Sequence, residues 1–279
     1  NLDLTLNPDF SQVEVDDQVV NLTRFEIRLP EKRQFFIQNG DLFSNYGDSR
    51  DGRPFFSRRI GVAKDLDGNN IQNKIIAGAR LSGKIDENWR IGFLHMVTDE
   101  DIKNQIPSNN NTVFSLQKKM FSRSNLSLII LNRENTKDYD FTQFNDKFNR
   151  LIGLDYNLAS NDNKYVGKFY FHKSFKPDSN RDDDDESFGG RIVRNTRNNT
   201  LELGGSFIGE DFKSDLGFVR RTDLFKVTPK YKLKFYPNRD KLIQVDLDIG
   251  MWSYYRPNDN FKNSDRTISP SINLRFKNQ

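Results

Sequence analysis

FKVTPKYKLKFY, at residues 225–236, is the first of three consecutive stretches that decide the fold. LIQVDLDIGMWSYY follows at 242–255 and RTISPSINLRFK at 266–277. In each stretch apolar residues alternate with polar ones, which is typical of a β-strand with one apolar and one polar face. Strands of soluble domains are usually ~3–10 residues long, whereas strands that cross an outer membrane need ~9–11 residues. The length and the polar second face therefore predict an antiparallel transmembrane β-barrel with a hydrated interior.

The composition agrees with a barrel that is polar inside. Hydrophobic residues make up only 35% of the 279 residues, which is less than a soluble domain normally carries. A polar-lined barrel accounts for the shortfall because half of each strand faces water. Disorder is the competing explanation, but 24 Phe and 9 Tyr in alternating segments argue against it.

Charge and cysteine content exclude several function classes. Lys and Arg number 43 against 39 Asp and Glu, so the net charge of +4 does not favour a nucleic-acid partner. The absence of cysteine excludes a disulfide scaffold and a thiolate metal site. No run of ~18 apolar residues predicts a membrane helix. The chain starts at Asn1 without a signal peptide, and we expect it to be a mature fragment of a longer protein.

The alternation divides the chain into two regions. Residues 1–72 are predicted to form an irregular, plug-like segment of the barrel domain, with extended stretches at 2–6 and 13–29. The stretch 31–70 loses the alternation and is too long for an ordinary loop, which indicates a functional or packed segment. Residues 73–279 are predicted to form antiparallel barrel hairpins, with about 12–14 strands in this fragment.

The hairpin region has a regular rhythm. Its predicted strands are 74–84, 89–98, 112–121, 126–132, 150–158, 164–172, 188–194, 200–208, 216–221, 225–236, 242–255 and 266–277. Short connections alternate with long ones at 99–111, 133–149 and 173–187. Short turns at one rim and long loops at the other are typical of outer-membrane barrels. The rhythm fails around 209–224, where we expect a bulge or a further loop.

Several motifs resemble a known family. They are NLDLTLNPDFSQVE (1–14), DQVVNLTRFE (17–26), LPEKRQFF (29–36), DLFS (41–44), PFFSRRIG (54–61) and DLGFVRRTD (215–223). These motifs resemble the DUF5916 family of Bacteroidota envelope proteins, whose members typically carry a carbohydrate-binding family 9-like domain ahead of this region. The resemblance implies an outer-membrane β-barrel, of which this chain would be the first part. It supplies no catalytic residues.

An acidic run in a long loop is a candidate metal site. It consists of Asp182, Asp183, Asp184 and Asp185. Carboxylate oxygens suit Ca²⁺, but the EF-hand spacing is missing and a charge run is usually a solvated loop. We therefore expect no cofactor, with calcium at this loop as the alternative. The same acids would also meet metal-bridged lipopolysaccharide at the surface.

Asp246 and Asp248 are the candidate catalytic pair. They lie on one strand face, ~7 Å apart, and two carboxylates at that distance can serve as acid and base in glycoside hydrolysis. The structural alternative is a pair of lumen-facing charges compensated by lysines of the neighbouring strand, and we favour it. Those lysines are Lys226, Lys230, Lys232 and Lys234. The two histidines, His95 and His172, are expected at structural or lumen positions.

Two arginine pairs are expected to point into the lumen or the periplasm, and as lumen-lining residues they would join Lys230 and Lys232. The pairs are Arg58 with Arg59 and Arg220 with Arg221. Arginine is costly on a lipid-facing surface, and its planar fork suits bidentate pairing with an anion. One interpretation is a lining for an anionic ligand. The other, which we favour, is a lock between plug and wall made with acids such as Glu14, Asp16, Asp17 or Asp223.

The first functional hypothesis is a non-catalytic integral protein of the bacterial outer membrane. It would pass or bind a ligand, or act as the scaffold of a cell-envelope complex. Its partners would be outer-membrane lipid and lipopolysaccharide, together with other envelope proteins or glycans. The alternatives are an envelope hydrolase acting on glycans or lipids, and a soluble β-rich binding module whose outward faces would need an apolar partner.

Overall fold

The structure, a computed structural model, describes residues 1–8, 30–179, 183–237 and 241–277. Its strands are β1 (Leu2–Leu6), β2 (Gly52–Arg53), β3 (Val62–Lys64), β4 (Asn70–Gln72), β5 (Ile75–Lys84), β6 (Trp89–Thr98), β7 (Asn109–Met120), β8 (Ser124–Asn135), β9 (Phe148–Ala159), β10 (Tyr165–Phe175), β11 (Glu186–Asn195), β12 (Asn199–Ile208), β13 (Phe218–Val219), β14 (Leu224–Val227), β15 (Lys230–Phe235), β16 (Leu242–Arg256) and β17 (Lys262–Phe276). The α-helices are α1 (Gln34–Ile37) and α2 (Asp41–Ser44). Among the described residues, no helix has the length and apolar character needed to span a membrane.

One large antiparallel sheet dominates the fold. It contains thirteen of the described strands: β1, then β5 to β12 in chain order, then β14 and β15, then β16 and β17. Nearly every strand pairs with its neighbour in the chain, so the sheet is a series of hairpins. In the described part of the chain, β1 and β17 lie at its two edges.

β14 and β15 are two halves of one strand, interrupted at Pro229. Both halves pair with β12 in a single register, Val227 opposite Gly205 and Lys230 opposite Glu202. Proline has no N–H and cannot donate to a sheet ladder, which explains the gap. The strand predicted at 225–236 is therefore present, with one interruption.

The two faces of the sheet differ sharply. Ten strands carry exposed large apolar side chains on the outer face, for example Leu2, Leu81, Ile130, Leu154, Phe171, Phe188, Leu203, Tyr231, Ile249 and Ile272. Their neighbours in sequence point to the other face, where polar side chains such as Arg80, Asp155, His172 and Asp248 are buried. Ile243, Leu247 and Ile249 are 40%, 39% and 53% exposed, so no second layer of described residues covers them.

The inner face is covered by the chain itself. Residues 34–61 and 209–224 pack there, and β13 of the second segment pairs with β2 of the first. One hydrophobic cluster joins Leu94 on β6 to Leu224 on β14. These strands are seven neighbours apart in the sheet, so the core extends across most of its inner face.

The structure confirms an all-β chain built on a large antiparallel sheet. The strand predicted at 2–6 is β1 and belongs to that sheet, and β6 coincides with the predicted 89–98. The rhythm fails at 209–224 because this segment leaves the sheet and packs inside. Only the two residues of β13 are extended there, where 216–221 was predicted. The stretch predicted at 13–29 lies outside the described residues.

Candidate functional site

Residues 35–53 cross the inner face of the sheet and contact its strands in chain order. We call this stretch the crossing segment. On β5, Arg80 Nη1 donates to the carbonyl oxygen of Gln38 at 2.7 Å. On β6, Arg90 forms an ion pair with Asp41 at 2.7 Å. The first third of the crossing segment is thus held by arginines of the first two hairpin strands.

The middle of the crossing segment is held by uncharged groups and one carboxylate. The Tyr46 hydroxyl oxygen lies 2.7 Å from Ser115 Oγ on β7, and the hydroxyl lies 3.0 Å from the carbonyl oxygen of Leu128 on β8. Burial raises the pKa of Tyr46, so the phenol stays neutral. The next residue, Gly47, donates its backbone N–H to Asp155 Oδ2 on β9 at 2.9 Å.

Asp155 is fully buried and has three hydrogen-bonding partners. Its Oδ1 lies 2.7 Å from Nε2 of His172 on β10, which is also fully buried. Its Oδ2 lies 3.3 Å from Nζ of Lys168, and the same ammonium donates to the carbonyl oxygen of Asn45 at 3.0 Å. A buried carboxylate is stable only when hydrogen bonds and opposite charges compensate it. Asp155 therefore depends on partners from the sheet strands and from the crossing segment.

The end of the crossing segment is held by Lys226 on β14. Lys226 Nζ lies 2.7 Å from Asp48 Oδ2 and 2.6 Å from Asp51 Oδ2. Burial alone would raise the pKa of Asp48, but the Lys226 ammonium and two backbone N–H groups outweigh burial and hold it below its usual 3.8. We call six side chains the charge network. They are Asp48, Asp51, Asp155, Lys168, His172 and Lys226.

Several buried polar atoms beside the charge network make no hydrogen bond of good geometry in the described part of the chain. They are His172 Nδ1, Tyr170 Oη, Ser187 Oγ and Ser206 Oγ, although the Tyr170 hydroxyl lies near both serine hydroxyls. A Cβ added at Gly189 would lie 2.9 Å from Tyr170 Oη and 2.9 Å from Ser206 Cβ, so the bare glycine makes room for these groups. Buried hydroxyls grouped in this way are suited to binding ordered water.

The charge network is built to hold the crossing segment. A carboxylate–imidazole pair such as Asp155–His172 also occurs in nucleophilic sites, but such a site needs an accessible nucleophile. Here both side chains have no exposed surface. Removing one partner of a buried ion pair typically costs ~3–5 kcal/mol because the other charge is left uncompensated. The geometry therefore supports anchoring.

A second polar feature is a cleft of about 810 Å³ at the rim where β6 ends and β7 begins. We call it the rim cleft. Five side-chain amides line it, from Asn73, Gln105, Asn109, Asn111 and Gln143. The long connections 99–108 and 136–147 lie on this rim, so the rim cleft opens on the long-loop side of the sheet. Its size is within the ~300–1,000 Å³ of small-molecule sites.

Charges in the rim cleft largely compensate one another. Lys213 Nζ lies 2.7 Å from Asp146 Oδ1 and 3.5 Å from Asp215 Oδ1. Arg133 lies 3.7 Å from Asp215 Oδ2. Burial lowers the pKa of Lys213, but the two carboxylates outweigh burial and leave it raised, so the ion pairs persist at neutral pH.

The four arginines expected to line the lumen lie on separate surfaces. Arg58 Nη1 donates to the carbonyl oxygen of Pro30 at 2.9 Å. Arg59 lines the rim cleft and donates from Nε to the carbonyl oxygen of Gly217 at 2.9 Å. The backbone N–H of Arg220 bonds Asp51 O at 2.9 Å, while Arg221 pairs with Asp265 at 3.3 Å. Of the acids predicted to pair with them, Asp223 accepts instead from the backbone N–H of Asn258 at 3.0 Å. Glu14, Asp16 and Asp17 lie outside the described residues.

Asp246 and Asp248 lie on the inner face within ion pairs. Asp246 Oδ2 is 3.5 Å from Lys232 Nζ. Asp248 Oδ1 is 3.4 Å from both Lys230 Nζ and Lys232 Nζ. Lys226, expected to join this group, binds the crossing segment instead. The structure therefore places the two aspartates in a charge ladder between β15 and β16.

The acidic loop is tied to neighbouring lysines. Asp185 is buried and its Oδ1 lies 2.7 Å from Lys173 Nζ, while Asp183 Oδ2 lies 4.0 Å from Lys176 Nζ. Asp182 lies outside the described residues. In the described residues there is no group of three or more His, Asp or Glu side chains that could hold a metal ion.

Sequence reasoning did not find the charge network. Asp48 and Asp51 lie in a stretch without periodicity, and Lys226 is 178 and 175 residues away from them. One signal was available for His172. Gly153 lies directly opposite it in the β9–β10 register, where a Cβ would overlap the imidazole. A glycine in mid-strand indicates close approach of another group.

These features define a class of protein: a large antiparallel sheet whose inner face is covered and anchored by its own chain. The chain belongs to the DUF5916 family, described as a domain of unknown function, whose model matches residues 1–279. Comparison with curated proteins and with solved structures gives no match.

Proposed function

We propose that this chain forms an integral β-barrel of the bacterial outer membrane whose interior is filled by its own crossing segment. It binds a ligand at the rim cleft and does not pass solutes through an open pore. The observation that carries the proposal is the division of side chains between the two faces of the sheet.

The outer face supports a lipid environment. Large apolar side chains are exposed on ten strands, and 53% for Ile249 is high for a residue of a strand that is paired on both sides. Soluble monomers rarely expose a continuous apolar surface of this extent. Most strands of the sheet have 10 to 15 residues, enough for the ~9–11 that cross the hydrocarbon region.

The inner face supports binding at the rim in preference to passage. The crossing segment is fixed to β5, β6, β9, β10 and β14 by charged side chains with contacts of 2.6 to 3.0 Å. An open pore would require these contacts to break together. The rim cleft, in contrast, is lined by polar side chains that surround an opening, so a ligand can enter without displacing the crossing segment.

The membrane assignment is tested with a matched pair of single cysteines, which the cysteine-free sequence makes simple. Ile272→Cys faces outward and Ser271→Cys faces inward on the same strand, and both positions are exposed in this structure. Each variant is reconstituted into phosphatidylcholine vesicles and labelled with a charged, membrane-impermeant maleimide. Labelling in urea gives the total.

We expect the inward cysteine to react and the outward one to be protected by lipid. Equal labelling of the two cysteines in vesicles would contradict the membrane assignment. So would recovery of the wild-type protein as a stable monomer in buffer without detergent.

A further inference from the structure

We propose that the rim cleft binds a neutral, polyhydroxylated ligand, namely an oligosaccharide chain, through its side-chain amides. This inference rests on the proposed function, in which the rim cleft is the ligand site, and it names the class of ligand. Two observations carry it: an unpartnered buried amide beside an unpartnered hydroxyl, and an aromatic ring at the opening.

The unpartnered amide belongs to Asn109. Its side chain is nine-tenths buried, and its Nδ2 donates to the carbonyl oxygen of Pro107 at 2.9 Å. Its Oδ1 has no hydrogen-bond partner in the described part of the chain, and neither has Oγ1 of Thr142, which lines the same cleft. A buried carbonyl oxygen without a donor costs free energy, and a ligand hydroxyl can supply that donor. The amide and the hydroxyl together suit a ligand with several O–H groups.

The charges of the rim cleft are four basic side chains, Arg59, Lys64, Arg133 and Lys213, and two acids. The two acids, Asp146 and Asp215, are engaged by Lys213 and Arg133. The Arg59 guanidinium is turned toward the carbonyl oxygen of Gly217. A neutral ligand adds hydrogen bonds without displacing these contacts, and the unpartnered Asn109 oxygen would repel an anion. The anionic probes below test whether Lys64 recruits an anion instead.

Phe141 supplies an apolar surface at the rim cleft. Its ring packs at 5.0 Å from that of Tyr139. Tyr139 is itself fixed, since its hydroxyl donates to Glu100 Oε2 at 2.8 Å and accepts the backbone N–H of Ser108 at 3.0 Å. The C–H face of a pyranose ring can pack on such a held aromatic while its hydroxyls meet the amides.

The test uses the full chain in detergent and titration calorimetry. The neutral probes are cellohexaose, maltohexaose, xylohexaose and mannohexaose, and the anionic probes are hexagalacturonic acid and inorganic polyphosphate. Phe141→Ala and Asn109→Ala each remove a proposed contact. The matched control is Phe144→Ala, an exposed phenylalanine of the same loop outside the rim cleft. Because Asn109 is buried, each variant is first compared with the wild type by circular dichroism.

We expect at least one neutral hexasaccharide to bind, with the Kd raised tenfold or more in Phe141→Ala and unchanged in Phe144→Ala. The inference is overturned if no neutral probe binds at 1 mM, if only the anionic probes bind, or if both phenylalanine variants bind alike. The vesicle labelling above does not depend on sugar binding. Failure of the ligand class and failure of the membrane assignment are therefore distinguishable.

Discussion

Lys226→Met is the sharpest perturbation of the anchored interior. Methionine keeps most of the aliphatic stem and removes only the ammonium that binds Asp48 and Asp51. Two carboxylates then share a buried space without a cation. Removing one partner of a buried ion pair costs ~3–5 kcal/mol, and the partial exposure of Asp48 places this case near the lower end, at about 3 kcal/mol. Protonation of one aspartate would relieve part of the cost at low pH.

The assay is equilibrium unfolding by urea in detergent micelles, followed by the fluorescence of Trp89 and Trp252. The control is Lys234→Met, a lysine of the same interrupted strand whose Nζ donates only to Asn195 Oδ1 at 2.7 Å and Thr196 O at 3.2 Å. Losing these bonds should cost less than ~1.5 kcal/mol. A repaired variant, Lys226→Met with Asp48→Asn and Asp51→Asn, should regain much of the lost stability because it carries no unpaired charge. Equal losses in Lys226→Met and Lys234→Met would refute the anchoring role of the charge network.

Two further predictions concern the same interior. Because the pKa of Asp48 is held below its usual 3.8, its ionised form contributes stability in full above pH 3.8, and this contribution is lost as the pH falls through the folded-state pKa. The free energy of unfolding should therefore drop more between pH 5 and pH 3 in the wild type than in Asp48→Asn, and equal drops would count against the prediction. Gly153→Ala should destabilise by ~1–3 kcal/mol, since the added methyl overlaps the buried His172 ring and lies 3.0 Å from Ile129 Cγ2. Gly83→Ala, whose methyl would meet only the Asn1 nitrogen at 3.8 Å, should change the free energy of unfolding little, and a similar loss in both variants would contradict the packing argument.

The alternation of apolar and polar residues predicted the strands of the large sheet well. Period two is a local property, and a run such as 89–98 needs only its own residues and the turn at Asp86 to specify β6. The one error within a wall strand, the gap in 225–236, arises at Pro229. The apolar side chain of Pro229 fits the alternation of a strand, but its backbone has no N–H to donate to the neighbouring strand.

The contacts on the inner face of the sheet could not be predicted from local sequence patterns. The alternation pattern correctly predicted that the Lys226 side chain points to the inner face of the sheet. It could not predict which acid Lys226 would pair with, because Asp246 and Asp48 were both candidates. The choice depends on where residues 35–53 run, and that path is set by contacts with many strands at once. The amides of the rim cleft illustrate the same limit, since Asn73, Asn109 and Gln143 are far apart in the sequence and come together only in the folded chain.

The order of contacts along the crossing segment has a consequence for biogenesis. The segment precedes every wall strand it touches, and its anchors follow the strand sequence from Arg80 to Lys226. Each docking point on the segment therefore precedes, in the chain, the strand that occupies it. Long-range contacts usually slow folding because loops must close first. The contact between Asp51 and Lys226 closes a loop of 175 residues, so we expect this anchor to form late in folding.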